Sequence, residues 1–263
     1  MERIVSLQNT RVKNISKLAK SRERKMQHLF VVEGARELSL ALAANYTVDS
    51  VFICPQLFAK SDYPQVLSSI PSHLQYEVSE QVFEKIAYRE GSDGLLAILN
   101  TKSHQLSDLN LPQNPFIIIL EAIEKPGNLG AILRTADAGQ AHAVIICDPL
   151  TDVYNPNTIR SSVGCIFTVP VAICSSDEAL AWLKTHNIRS HAAELRASQW
   201  YHEVDYKIPT AVVMGTEADG LTNFWLDNAD SRIKIPMRGK IDSLNVSVST
   251  AVITFEAMRQ RGF

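Results

Sequence analysis

Three segments combine glycine, amide, carboxylate and hydroxyl side chains densely enough to do chemistry: residues 121–134, 215–222 and 236–245. The first reads E-A-I-E-K-P-G-N-L-G-A-I-L-R-T-A-D. Gly127 and Gly130 permit tight turns there, and Asn128 can cap a following helix. Arg134 then stands about one and a half turns into that helix, within reach of the loop. A capped helix with a surface arginine is the plain alternative for this segment. In the second, V-V-M-G-T-E-A-D-G-L, Glu217 and Asp219 lie between two glycines. Either could be a general base or a metal ligand. No His/Asp/Glu cluster accompanies them, so turn capping is the stronger reading and no metal is expected. The third reads I-P-M-R-G-K-I-D-S-L-N-V-S-V-S-T-A, with Ser243, Ser247, Ser249 and Thr250 running into a helix. On its own it suits an N-cap followed by a close-packed face of small residues.

The elements around these loops must position them. Strands are expected at 116–120, 143–147, 168–173, 189–193, 211–214 and 232–235, with helices near 129–139, 155–163, 177–187 and 246–261. Continuous apolar strands alternating with helices indicate a parallel sheet covered on both faces. Ligands of such sheets sit beyond the carboxyl ends of the strands, where the three loops fall. Upstream, a basic amphipathic helix over 10–28 presents Val12, Ile15, Leu18 and Ala19 on one face. Strands at 29–32, 48–53, 75–78 and 94–99 follow, with helices at 33–44, 63–70 and 79–87. Residues 100–115 are polar, contain two prolines and lack periodicity, as a linker does. The expected organisation is therefore a smaller α/β domain over 1–100, a linker over 101–115 and an α/β parallel-sheet domain over 116–263.

The 263 residues are 46% hydrophobic and 21% charged, the balance of an ordinary globular protein. No apolar run is long enough to span a membrane, and the N-terminus lacks a secretory pattern. Cys54, Cys147, Cys165 and Cys174 show no C-x-x-C spacing, which suggests reduced thiols and a cytoplasmic protein. Net charge is −2, yet residues 1–25 carry eight Lys/Arg against two acids. That asymmetry fits a local anionic partner or a solvated helix face, and composition does not choose between them.

Neither G-x-G-x-x-G after a strand nor G-x-x-x-x-G-K-[ST] occurs, which disfavours dinucleotide and P-loop enzymes. The candidate serines lack a G-x-S-x-G context. Taken together, the three loops resemble the signature motifs of the SpoU family, ribose 2′-O-methyltransferases of the SPOUT class. Asn128, Gly130, Arg134 and Thr135 carry the first motif, and Gly215, Glu217, Gly220 and Leu221 the second. Ile235, Pro236, Met237, Gly239, Ser243, Leu244, Asn245, Val246 and Ser247 carry the third. The segments S-L-Q-N-T-R-V-K, F-V-V-E-G-A-R-E and G-S-D-G-L-L-A-I resemble the family's L30e-like substrate-binding domain. Ser249-Thr250 departs from the alanine more usual there, with no loss of smallness.

The resemblance implies a trefoil knot in the C-terminal domain, an exception to the general absence of knots. It implies S-adenosylmethionine as cofactor, contacted at Gly215, Ile235, Leu244 and Met237, and a homodimer with shared active sites. Arg134, Asn128, Glu217, Ser243 and Asn245 become the catalytic candidates, with Arg134 essential. The family's arginine is usually described as a base, but a guanidinium holds its proton in proteins. Positioning of a phosphate and electrostatic help to the hydroxyl suit it better, and its protonation state stays open. Arg11, Lys13, Arg22, Arg24, Lys25 and Arg36 become the expected RNA contacts. Ribosomal RNA is favoured over transfer RNA as substrate; a non-catalytic RNA-binding protein on the same scaffold is the rival.

Overall fold

The computed structural model describes residues 1–59, 61, 63–88 and 91–262. In chain order the elements are β1 (Glu2–Ile4), α1 (Thr10–Leu18), α2 (Ser21–Gln27), β2 (Leu29–Glu33), α3 (Ala35–Ala43), β3 (Val48–Ile53), α4 (Pro55–Phe58), β4 (Gln75–Val78), α5 (Glu80–Ile86) and β5 (Leu95–Asn100). Then follow β6 (Phe116–Glu121), α6 (Pro126–Ala138), β7 (Ala143–Cys147), α7 (Pro156–Ser161), β8 (Val171–Cys174), α8 (Ser176–Thr185), β9 (Arg189–Ala193), β10 (Gln199–Trp200), β11 (Thr210–Met214), α9 (Asn223–Asn228), β12 (Ser231–Lys234) and α10 (Val246–Arg261). Two compact units result, Met1–Ser103 with Asp152–Thr168, and His104–Thr151 with Val169–Phe263.

The first unit is a five-stranded mixed sheet in the order β1-β4-β3-β5-β2. Helix α1 buries Val12, Ile15 and Leu18, one helical stripe, against Phe52, Val82, Phe83 and Leu96. The single helix expected over 10–28 is two, because Lys20 is extended (φ −92°, ψ 132°) and Ala19 is exposed rather than packed. Arg24 accounts for the break. Its Nη1 donates to the carbonyls of Leu18 and Ala19 at the end of α1, and its Nε donates to Asp152 Oδ2 at 2.8 Å. At 2% exposure this guanidinium has no face left for RNA, which corrects its expected role as a contact. Removing one partner of a buried pair strands the other charge. Arg24→Ala should therefore lower the unfolding free energy by about 3–5 kcal/mol in urea titrations followed by circular dichroism. A loss below about 1 kcal/mol would class the pair with exposed salt bridges.

Residues 152–168 join this unit through aromatic packing. Tyr154 stacks on Phe30 with centroids 4.2 Å apart, and Phe167 meets Tyr46 edge-on at 5.1 Å. A segment expected within the 116–263 domain thus has its contacts with residues 1–103. Local periodicity carries no trace of such long-range partners.

The second unit is a seven-stranded sheet in the order β10-β12-β9-β11-β6-β7-β8, parallel throughout. Strands β6, β7 and β11 are buried at every residue, which is why they read as unbroken apolar runs. Part of the expected linker is ordered here, since Leu106, Leu109 and Leu111 pack on the core. Helix α10 crosses α6 closely: a Cβ on Gly139 would lie 2.7 Å from Thr254 Cγ2. Arg261 closes the unit, donating to the carbonyls of Asn114, Pro115, Tyr206 and Ile208. Among the described residues no helix is long and apolar enough to cross a membrane, and no His/Cys/Asp/Glu group is placed to hold a metal ion.

Candidate active site

The loops after β6, β11 and β12 meet at the carboxyl edge of the parallel sheet. Glu121, 4% exposed at the end of β6, fastens the second loop: its carboxylate accepts from the Thr222 N–H (2.8 Å) and hydroxyl (2.6 Å). Inside that loop the Thr216 N–H donates to the Gly220 carbonyl at 3.0 Å. Gly220 takes φ +70°, and the chain doubles back over Gly215, whose added Cβ would lie 2.2 Å from the Gly220 carbonyl carbon. The turn holds Glu217 outward.

Glu217 is the hub. One carboxylate oxygen accepts from Lys125 and the other from the Asn245 amide, with the Asn128 side chain close enough to favour the charged form. Asn245 is itself fixed by capping α10, where its Oδ1 accepts from the Ser247 N–H (2.9 Å) and hydroxyl (2.6 Å). Its amide nitrogen also reaches Asn128 Oδ1 at 3.3 Å. The three candidates Asn128, Glu217 and Asn245 are thus brought together, one from each loop. Lys125, followed by the two amides, holds the Glu217 carboxyl below the usual carboxylate range, and Glu217 in turn raises the Lys125 ammonium. So disposed, Glu217 is a fixed anion at neutral pH and a weak base. Lys125 was missed in the sequence; its place directly before Pro126, at the mouth of α6, was the available signal.

Arg134 and Ser243 stand apart from this cluster. Six positions separate Arg134 from Asn128, about 120° around α6 and ~9 Å along it. Its side chain is exposed and makes no hydrogen bond or ion pair among the described residues. Ser243 is exposed and, among the described residues, its hydroxyl donates only to its neighbour Asp242, at 3.1 Å. Of the expected cofactor contacts, Gly215 is buried, and Ile235, Met237 and Leu244 are half-buried. Over Gly215 the backbone of Gly220 and Leu221 leaves no room for a Cβ, so the tight turn requires glycine there, and the uncharged Ile235, Met237 and Leu244 are of a chemistry that suits the adenosine of S-adenosylmethionine. In the first unit, Lys13, Arg22, Lys25 and Arg36 are exposed and unpaired among the described residues. Arg11 is also exposed, with its guanidinium 4.4 Å from the Tyr76 ring centre.

Comparison with known proteins bears on this geometry. The profile of the SpoU rRNA Methylase family matches residues 115–255, and that of the MRM3-like substrate binding domain matches residues 9–97. A 23S rRNA (guanosine(2553)-2'-O)-methyltransferase of Bacillus subtilis is 27% identical, over 97% of this chain and 98% of its own. A crystal structure of an RNA 2'-O ribose methyltransferase superposes with TM-score 0.86 at 36% identity, covering 99% of this chain and 100% of that one. The AdoMet-bound rRNA methyltransferase from Sinorhizobium meliloti gives TM-score 0.89 at 29% identity, over 98% and 97% of the two chains.

Proposed function

Because the chain belongs to the SpoU rRNA methylase family, we propose that it methylates a ribose 2′-hydroxyl of ribosomal RNA using S-adenosylmethionine. The observation that carries the reading is the meeting of Asn128, Glu217 and Asn245 from three separate loops, beside the Gly215 cradle. The bound cofactor supplies a methyl group on a sulfonium, open to in-line displacement by oxygen. Gly215, Ile235, Met237 and Leu244 would hold it. Glu217, with Lys125 and the two amides, fixes the relative placement of the loops. Arg134 holds a substrate phosphate bidentately and offsets negative charge developing on the attacking oxygen. Ser243 adds a hydroxyl at the rim of the third loop.

The active form is a homodimer in this reading. Helix α10 exposes Val248 (47%) and Phe255 (43%) seven positions apart, an apolar stripe suited to a second copy. Arg134, unpaired among the described residues, would then complete the partner's site. We also propose that the segment leading into α10 passes through the family's knot. The four free cysteines favour the cytoplasm. Mapping ribose methylation across ribosomal and transfer RNA, in cells with and without the gene, tests the substrate. Loss of one ribosomal 2′-O-methyl mark is expected, and loss confined to transfer RNA would overturn it.

RNA affinity comes from the exposed cations of the first unit. About four phosphate contacts would give a slope near −3 for log affinity against log salt, at roughly −0.7 each. Replacing Lys13, Arg22, Lys25 and Arg36 together with alanine should flatten the slope toward zero in anisotropy titrations. An unchanged slope would reduce the basic face to solvation.

A further inference from the structure

A cavity of about 260 Å³ lies within the first unit, between α1, the end of α5 and α7. Its walls are apolar, Ile86 and Ile159 among them, but Glu37 also lines it. Glu37 is only 6% exposed and makes no hydrogen bond or ion pair among the described residues. The carboxylate oxygens keep some contact with water at the cavity, where they can accept from the N–H or O–H donors of a ligand. At the same cavity stands Tyr88, 47% exposed, its backbone pinned by a 2.6 Å hydrogen bond from its N–H to Glu33. An exposed ring on a fixed backbone is a stacking platform. Lys85 and Arg160 also line it, both exposed and without an ion pair among the described residues.

We propose that this cavity binds an unpaired guanine of the RNA substrate, with Glu37 accepting from the base edge, Tyr88 stacking on its face, and Lys85 and Arg160 taking the adjoining phosphates. The argument for guanine is donor arithmetic. A carboxylate is acceptor-only and has two oxygens side by side. Guanine alone among the four RNA bases offers two adjacent donors on one edge, N1–H and the 2-amino group. Adenine and cytosine offer an amino group beside an acceptor, and uracil an N–H flanked by two carbonyls, so each would set a lone pair against the carboxylate. Unstacked bases read on that edge and stacked on aromatic rings are the usual route to sequence-specific RNA recognition. The inference rests on RNA being the substrate, and nothing in it depends on the chemistry of the three loops.

Fluorescence anisotropy on the full chain tests it, using labelled uridine hexamers that carry one central guanosine, inosine or adenosine. The guanosine hexamer should bind about tenfold or more tighter than the adenosine one, with inosine, which lacks the 2-amino donor, between them. Glu37→Gln should erase that ranking, because its amide presents a donor to N1–H. Tyr88→Ala, a change at an exposed side chain, should weaken all three hexamers alike. Melting temperatures check that each variant folds. Equal binding of guanosine and adenosine by the wild type, or a ranking that survives Glu37→Gln, overturns the pocket while leaving RNA as substrate. Absence of binding to every hexamer at low salt would overturn both.

Discussion

Arg134→Ala should lower turnover on RNA by about 10²–10³-fold, the usual cost of removing one group that stabilises developing charge. Cofactor affinity and melting temperature should stay at wild-type values. The separation follows from position. Arg134 is exposed on α6, carries no hydrogen bond or ion pair among the described residues, and lies about 120° around the helix from Asn128. No hydrogen bond or ion pair among the described residues depends on it, so its loss should register only when substrate is present. Retention of more than about a tenth of wild-type turnover would remove Arg134 from the mechanism. Shared sites make a second demand. Mixed dimers of an Arg134→Ala subunit and a Gly215→Trp subunit, each inactive alone, should recover part of the activity. Verified heterodimers without recovery would make each site self-contained.

Gly215→Ala should have the larger effect on binding. The added Cβ would lie 2.2 Å from both the Gly220 carbonyl carbon and oxygen, and 2.4 Å from the Leu221 nitrogen. Backbone on both sides leaves no flexible side chain to yield, so the turn over 215–220 must open. Opening it would break the Thr216 to Gly220 hydrogen bond and move Glu217 off its partners on the other two loops. S-adenosylmethionine affinity should fall by about 100-fold or more in calorimetric titration, equivalent to two decades at 1.4 kcal/mol each. The sheet itself is untouched, so far-ultraviolet circular dichroism should be unchanged. Wild-type affinity in Gly215→Ala would mean that the second loop does not cradle the cofactor.

Much of the architecture was legible because burial on both faces writes itself into composition. Residues 116–120, 143–147 and 211–214 read as strands since every residue in them is buried, and the parallel order follows from the helices between. The functional loops were legible for a different reason: glycines and capping amides are required by backbone geometry at fixed places. Asn245 had to cap α10 whatever else it did, and Asn128 and Glu217 stood out beside glycines.

What failed to show is what depends on distant partners. Arg24 counted as one more cation near the N-terminus, and only the fold reveals that it binds the end of α1 and Asp152. The segment 152–168 follows β7 of the parallel sheet in sequence, yet its tyrosine and phenylalanine pack with Phe30 and Tyr46. A truncation at residue 110 would leave that segment without its packing partners, so charge substitutions in the intact chain are the sounder probe of RNA binding. The short edge strands Glu2–Ile4 and Gln199–Trp200 were missed because three or two residues carry no period.

The most direct test is chemical. The purified protein, S-adenosylmethionine labelled in its methyl group, and ribosomal RNA from cells lacking the gene are incubated together, and the RNA is digested to nucleosides. The account predicts label in a single 2′-O-methylnucleoside of ribosomal RNA, absent with Arg134→Ala. Label on a base, or incorporation into transfer RNA but not ribosomal RNA, would contradict it.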